Sequence, residues 1–395
     1  MFKSWRIVIL FFSFLCLVEL ALGQPVTVKT ITITGLKRTK ASIVYRELTF
    51  GEGDTLVQQD LGPTLERNRN NLLNLGIFND VIINVSEWNT DLKTIEITIE
   101  IKESWYIYAV PILELADRNF NVWWTTHNHS LDRINLGARL EWLNFTGRND
   151  KLKAKIQFGY TPKQELDYRF PYLNKRQSLG ISTNFLHSIN KEMSYATVDN
   201  QEQFVQLDER KLLEKYEGQV RTFFRPSHFI KYELALKYNY LKVDQEVITD
   251  YNPQYFRSGD STQSVFSLRF VFEYDDRDIK IFPARGIKAS FETEKIGLAA
   301  KADENALISG LTLEWNATSG RRFQHRISSV AKYSWSRSQP SFIYYRGLGA
   351  GVKYVSGYEL YVVDGLDFLL GKYQLSYKLI EKQSNLGRFM PVEQF

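Results

Sequence analysis

The chain has 395 residues, 14% of them aromatic, with 50 Lys+Arg against 45 Asp+Glu and a formal net charge of +5. The positive balance is small and dispersed, with no basic block, which argues against nucleic acid as a partner. The single cysteine, Cys16, precedes residue 24, so the rest of the chain holds neither a disulfide framework nor a cysteine-based metal site.

Residues 1–23 read as a secretory signal peptide: Lys3 and Arg6 open it, Ile7 to Val18 are apolar, and Ala21-Leu22-Gly23 form a small-residue cleavage site before Gln24. An uncleaved anchor is the alternative. After residue 24 no segment approaches 18 uninterrupted apolar residues, so no membrane-spanning helix is expected there.

Residues 24–104 form the first expected domain. VTVKTITITG places Val26, Val28, Thr30 and Thr32 opposite Thr27, Lys29, Ile31 and Ile33, a strand ending at Gly35. Thr39 stands where it would cap a short helix over ASIVYREL, with Val44 and Leu48 on one face. FGEGD (50–54) is a turn. A second helix is expected from about Gln58 to Leu75, with Leu61, Leu65, Leu72 and Leu73 on a common side and Gly76 as its stop. FNDVIINV (78–85) and TIEITIEI (94–101) read as strands. The order strand–helix–helix–strand–strand makes an α+β unit with two helices on one face of a small sheet. In order and spacing these pieces resemble a POTRA domain. The resemblance implies binding of extended peptide by strand addition at a sheet edge, with Ile31 and Ile33, or Val81, Ile83 and Val85, as the edge-strand candidates. The bland alternative is a small α+β spacer.

From Trp105 the pattern changes to strict alternation. KLKAKIQFGY (151–160) places Leu152, Ala154, Ile156, Phe158 and Tyr160 opposite three lysines and Gln157. IKYELALKYNY (230–240) and SVFSLRFVFEYD (264–275) behave in the same way, and HRISSVAKYSW (325–335) more weakly. Segments of about ten residues cross a bilayer at a tilt, and a spanning sheet must close because lipid satisfies no unpaired backbone group. Trp123-Trp124, Trp142, Phe223-Phe224 and Tyr344-Tyr345 sit at strand ends, where aromatic girdles are expected. Residues 105–395 therefore read as an all-β antiparallel transmembrane barrel in the outer membrane, with the lipid bilayer as one partner and the first domain on the periplasmic side. A secreted soluble β protein is the alternative.

YYRGLGAGVKYVSGYELYVVDG (344–365), followed by FLLGKYQLSYKLI, resembles the inward-folded loop of the BamA/TamA superfamily of outer-membrane assembly and translocation proteins. EYDDRDIKIFPARGIKASFE (273–292) resembles the family's Asp-rich strand end followed by Pro-x-x-Gly, through Asp275, Asp278, Pro283 and Gly286. NFTGRNDKLKAKIQFGY (144–160) resembles an early hairpin turn of the family. The resemblance assigns the loop motif to Val355, Ser356, Gly357, Tyr358, Glu359 and Gly365. Gly357 would allow a tight backbone, Tyr358 would pack it, and Glu359 would meet a basic wall residue. Where the family has an anchoring arginine this chain has Ser356, which cannot make its bidentate contact; Arg346 and Lys353 are the candidate replacements. The chain shows roughly a dozen barrel strands where the family has about sixteen, and NLGRFMPVEQF lacks alternation, so a C-terminally incomplete barrel is expected, a naturally smaller one being the alternative.

The resemblance implies assembly or translocation of unfolded outer-membrane or secreted polypeptides, and it admits accessory envelope lipoproteins as partners. A passive pore or structural surface antigen, and an export channel for one dedicated partner, are the competing readings. An enzyme is not expected. His127 and His129 near Asp132 lack a defined third ligand, and Asp275, Asp276 and Asp278 lack the glycine and terminal glutamate of a calcium loop. No nucleophile elbow or phosphate loop occurs. No catalytic, metal or cofactor residue is assigned, and no cofactor is expected.

Overall fold

The computed structural model describes residues 24–116, 123–124, 128–208, 210–299, 302–320, 322–349, 355 and 361–379. The chain divides between Ser104 and Trp105 into two compact units.

The first unit contains β1 (Pro25–Thr34), α1 (Ala41–Glu47), β2 (Thr55–Val57), α2 (Leu61–Leu73), β3 (Phe78–Asn89) and β4 (Thr94–Glu103), and its sheet has the order β2-β1-β4-β3. Val28 pairs with Ile95 and Thr30 with Glu96, which leaves Lys29 as an extra residue in β1. This bulge inverts the alternation. Val26 and Val28 before it and Ile31 after it are all buried, whereas simple alternation put Ile31 on the opposite face. Ile95, Ile97, Ile99 and Ile101 of β4 and Val81 and Ile83 of β3 complete the buried face. Ile43, Val44 and Leu48 from the α1 region and Leu61 and Leu72 of α2 cover it. The α2 stripe also includes fully buried Asn68. Its Nδ2 donates to Thr49 Oγ1 (2.9 Å) and Thr64 O (2.8 Å), and its Oδ1 accepts from Thr49 N (2.7 Å), so its polar groups are satisfied.

Thr39 does not cap α1. The N-cap residue is Lys40, with no side-chain capping bond. The Glu103 carboxylate at the end of β4 instead accepts from the backbone N–H groups of Arg38 (3.1 Å) and Thr39 (2.8 Å). Burial would raise the pKa of Glu103. Hydrogen bonds from the Thr39 side chain and from the Thr39, Arg38 and Lys37 amides outweigh that and hold it below the usual carboxylate value.

The second unit is a 12-stranded antiparallel sheet of the outer-membrane barrel type. Its strands are β5 (Ile107–Leu115), β6 (Ile134–Leu143), β7 (Lys151–Gly159), β8 (Lys163–Phe170), β9 (Leu179–Asn190), β12 (Leu213–Phe224), β13 (Ile230–Val243), β14 (Thr262–Asp275), β15 (Gly286–Ile296), β16 (Ala306–Ser319), β17 (Phe323–Ser334) and β20 (Phe368–Tyr377). Each pairs with its neighbours in the order of the chain, so β5 and β20 are the end strands, and neither has a further partner among the described residues. No helix of the described residues is long and apolar enough to cross a membrane.

The pleat sorts this sheet into two faces. One continuous cross-strand row runs Phe224, Tyr232, Phe272, Phe291, Leu311, Ala331, Leu369. The row beside it runs Phe223, Glu233, Val271, Glu292, Gly310, Lys332, Phe368. In the apolar row Phe224, Tyr232, Phe291, Leu311 and Leu369 are exposed, as a lipid-facing surface requires. The opposite face carries ion pairs, among them Lys237–Glu217 (3.1 Å), Lys288–Glu273 (3.2 Å) and Arg269–Glu292. Three expectations for single residues fail. Gly159 takes φ +110°, β7 ends there, and Tyr160 turns into the protein to accept from Arg133 at 2.8 Å. Phe223 is buried beneath the Arg169 guanidinium, so of that pair only Phe224 is exposed. Tyr344 packs against Val265, Ile296 and Ala306 and belongs to no lipid-facing girdle.

Three long connections, after β9, β13 and β17, lie at the end of the sheet away from Trp105. The hairpin β10 (Glu192–Val198) and β11 (Gln201–Gln206), a π-helical turn Val247–Tyr251, and α3 (Phe342–Tyr345) meet there. Met193, Val205, Leu212, Val247, Tyr255 and Phe256 form their core, with Phe342 and Ile343 packed on it. A hairpin after β9 and a segment after β17 touch only if the sheet curls strongly.

Candidate functional site

The end strands of the first unit's sheet are β2, three residues long, and β3. β2 pairs with β1 only over Pro25–Thr27, so at Ile31 and Ile33 β1 has β4 as its single strand neighbour. Beyond the three-residue pairing with β2, the Ile31 amide is occupied by Glu52 Oε1 at 2.9 Å. On β3, Val81 and Ile83 point their side chains into the core. The Val81 carbonyl accepts from Arg69 Nε (2.8 Å) and its amide donates to Asp80 Oδ1 (2.9 Å). Both Val81 groups therefore face the outer edge, and by alternation those of Ile83 and Val85 do too. Arg69 and Asp80 form a further contact at 3.4 Å. On the other side a bulge at Ser86 shifts the register between Val85 and Glu87. The open part of the edge is thus short, running from Ile83 to Val85 between a side-chain plug and a bulge. Natural edges are blunted with such devices.

The second candidate region follows β17. Its two stems pair as β18 (Arg346–Leu348) and β19 (Val363–Asp364), with Arg346 opposite Asp364 and Leu348 opposite Val363. The Gly365 amide donates to Tyr345 O at 2.8 Å. Gly349 has φ +89°, and a Cβ there would lie 2.1 Å from Tyr361 O, so only glycine lets the stems close. Between the stems, Val355 lines a cavity of about 650 Å³ together with Glu314, Arg326, Ser328 and Lys372. These wall residues belong to β16, β17 and β20, so Val355 sits inside the curl of the sheet. Ser356, Gly357, Tyr358, Glu359 and Lys353 lie outside the described residues, as do residues 1–23, His127 and 380–395.

Before the stems, buried Ser341 is a polar knot. Its amide donates to Glu304 Oε2 (2.7 Å), and its hydroxyl accepts from Gln263 Nε2 (3.0 Å) and the Arg257 amide (3.0 Å). Arg346, one of the proposed replacement anchors, pairs with Glu202 on β11 at 2.9 Å.

The strand-end motif is built at the opposite end of the sheet, after β14. Asp275 holds Arg277 in a bidentate pair at 2.8 and 2.9 Å. Arg277 Nη1 reaches Glu314 at 3.1 Å, and Arg326 lies 3.8 Å from the same carboxylate. Asp278 Oδ1 accepts from the amides of Ile279 (2.8 Å), Ala284 (3.0 Å) and Arg285 (3.3 Å), which closes the turn; Pro283 is buried within it. Gly286 has φ +110°, and a Cβ would meet Arg277 Cα at 2.6 Å. Glu314 and Arg326 therefore connect the motif to the cavity that Val355 lines.

Sequence reasoning missed Arg69, Glu202, Glu304 and Lys332. Each is a charged residue whose partner lies on another element, and only strand parity marks Lys332 as inward-facing. His129 stacks on Trp124 at 4.9 Å, and no group of three or more His, Cys, Asp or Glu side chains among the described residues is placed to hold a metal.

Residues 26–104 match the family model described as "Surface antigen variable number repeat", the POTRA model, and residues 144–366 match the "Omp85 superfamily domain". Among solved structures, CdiB from Acinetobacter baumannii aligns with a TM-score of 0.50 and 11% identity over 91% of this chain and 61% of that one. BamA from Haemophilus ducreyi lacking POTRA domains 1–3 aligns with a TM-score of 0.48 and 16% identity over 84% and 60%. The chain thus spans about three-fifths of the length of either structure. No curated protein matches it. The second family model covers more than half of the chain, in the stretch from the β6–β7 turn to the returning stem of the inward segment, and the chain belongs to the Omp85 superfamily.

Proposed function

We propose that this protein receives unfolded polypeptides in the periplasm and assists their insertion into, or passage across, the outer membrane. The superfamily includes proteins of outer-membrane assembly and secretion, BamA and CdiB among the similar structures. The observation that carries the reading is the open β3 edge at Ile83 to Val85 in a module joined to a sheet with one lipid-type and one charged face. An extended segment pairing there gains backbone hydrogen bonds of about 0.5–1.5 kcal/mol each, an affinity weak enough to hand the chain onward. The barrel then admits it at a lateral seam beside its first strand, β5, while Val355 occupies the lumen. No covalent step is needed and no cofactor enters. Accessory envelope lipoproteins are a further partner class under this reading.

Deleting residues 26–103 tests it. Client barrels should fail to insert into vesicles holding the variant, while ion conductance of the barrel persists. Normal client insertion without the module would overturn the proposal and leave a passive pore or surface antigen.

A further inference from the structure

Lys332 is the one charged member of β17's inward row beside the stems of the inward segment. Its ammonium donates to Arg346 O (3.0 Å), Tyr344 O (3.4 Å) and Gly365 O (3.4 Å). The Arg346 carbonyl belongs to the descending stem, the Tyr344 carbonyl to α3 just before it, and the Gly365 carbonyl follows the returning stem, so a single wall residue holds both sides. An ammonium carries three donors and can serve several carbonyls at once. On the far side the Arg346 guanidinium lies 5.1 Å from the centre of the Phe342 ring and bonds Glu202 at 2.9 Å. The hairpin bearing Glu202 also accepts the Val362 amide at Asn200 O, 2.8 Å away. The stems are thus gripped from the wall by Lys332 and from the β10–β11 hairpin by Glu202 and Asn200.

We infer that Lys332 and the Arg346–Glu202 pair form a root clamp that sets how deep Val355 sits in the curl of the sheet, positioning it from the stems. The pair joins two elements that lie outside the 12-stranded sheet, and Lys332 contributes only its side chain to the clamp, so loosening the clamp should leave the sheet intact. These are positioning residues. The clamp serves the polypeptide-handling reading above, but it is tested by segment position and not by client insertion, so the two can fail separately.

The test places the photo-crosslinking residue benzoylphenylalanine at Val355 in the full chain, folded into phosphatidylcholine vesicles, and maps the products by mass spectrometry. The unaltered clamp should give crosslinks to the wall around Glu314, Ser328 and Lys372. Lys332→Met should lower their yield at least fivefold, with the unheated gel mobility of the folded barrel retained, and Lys332→Arg should restore most of it. Arg346→Glu should lower the yield similarly, and the swap Arg346→Glu with Glu202→Arg should recover it. If Lys332→Met does not fold, Glu202→Gln, outside the 12-stranded sheet, carries the same expectation. Wild-type crosslink yield in folded Lys332→Met or Glu202→Gln, or no recovery in the swap, overturns the clamp.

Discussion

Leu236→Arg separates a lipid-facing sheet from a water-facing one. Leu236 is the seventh of the fourteen residues of β13, pairs with Val220 and Leu268, and is 46% exposed. At about 3.4 Å per residue and a tilt of about 40°, the ends of β13 lie roughly 16 and 18 Å from it along the membrane normal. That puts it near the centre of an apolar band about 25 Å tall, where an arginine costs about 2–4 kcal/mol. The folded-to-unfolded ratio should therefore fall about 30- to 900-fold. At a half-exposed site in water the same change would stay within about 0.5 kcal/mol. The assay is reversible urea titration of the chain in phospholipid vesicles, read by tryptophan fluorescence and unheated gel mobility. Lys237→Arg, one residue along on the charged face beside Glu217, is the control and should be near neutral. A cost below about 0.5 kcal/mol for Leu236→Arg would refute the assignment of this face to lipid.

Arg69→Ala unplugs the Val81 carbonyl at the β3 edge and releases Asp80 from its ion partner. One further backbone hydrogen bond, about 0.5–1.5 kcal/mol, should tighten binding of a labelled extended peptide to the full chain about two- to tenfold, read by fluorescence anisotropy. Unchanged or weaker binding by a folded variant would count against β3 as the docking edge. Glu103→Gln should cost the first domain about 1 kcal/mol at neutral pH, the worth of a helix cap, measured as a shift in its thermal transition. The native pKa of Glu103 lies below the ordinary value of 4.5, so its contribution is present above that value and is lost as pH falls through the lower native one. The gap between wild type and Glu103→Gln should accordingly narrow in acid, and a gap that widens would contradict the hydrogen-bond account.

Much of the architecture was legible in the sequence because two periodicities report directly on environment. Residues 24–104 show strand and helix patterns in the order observed, save for the three-residue β2 between the helices, and the strands of the large sheet after Trp105 run eight to fourteen residues with period two, since one side meets lipid and the other the charged lumen. Glycines that no other residue can replace, Gly286 and Gly349, fall in the motifs that the family resemblance picked out.

What the chain order could not show was where that alternation breaks and which distant side chains meet. A bulge at Lys29 brings Ile31 to the buried face alongside Val28, because hydrogen-bond register between β1 and β4 decides the facing and local pattern does not. Glu103 displaces Thr39 as the source of the bonds before α1, since β4 ends beside that turn only once the sheet has formed. Strand order sets β1 beside β4 and leaves β3 at one end of the sheet, a matter of pairing free energy between segments sixty or more residues apart. Lys332, Arg346 and Glu202 come from three elements spread over about 145 residues, and only the curl of the sheet brings them around the stems of one segment. The sequence alone determined the alternation, the module order and most of the outward-facing residues, because these depend on the solvent each residue meets; long-range register and the curl of the sheet decided the edge, the cap and the clamp.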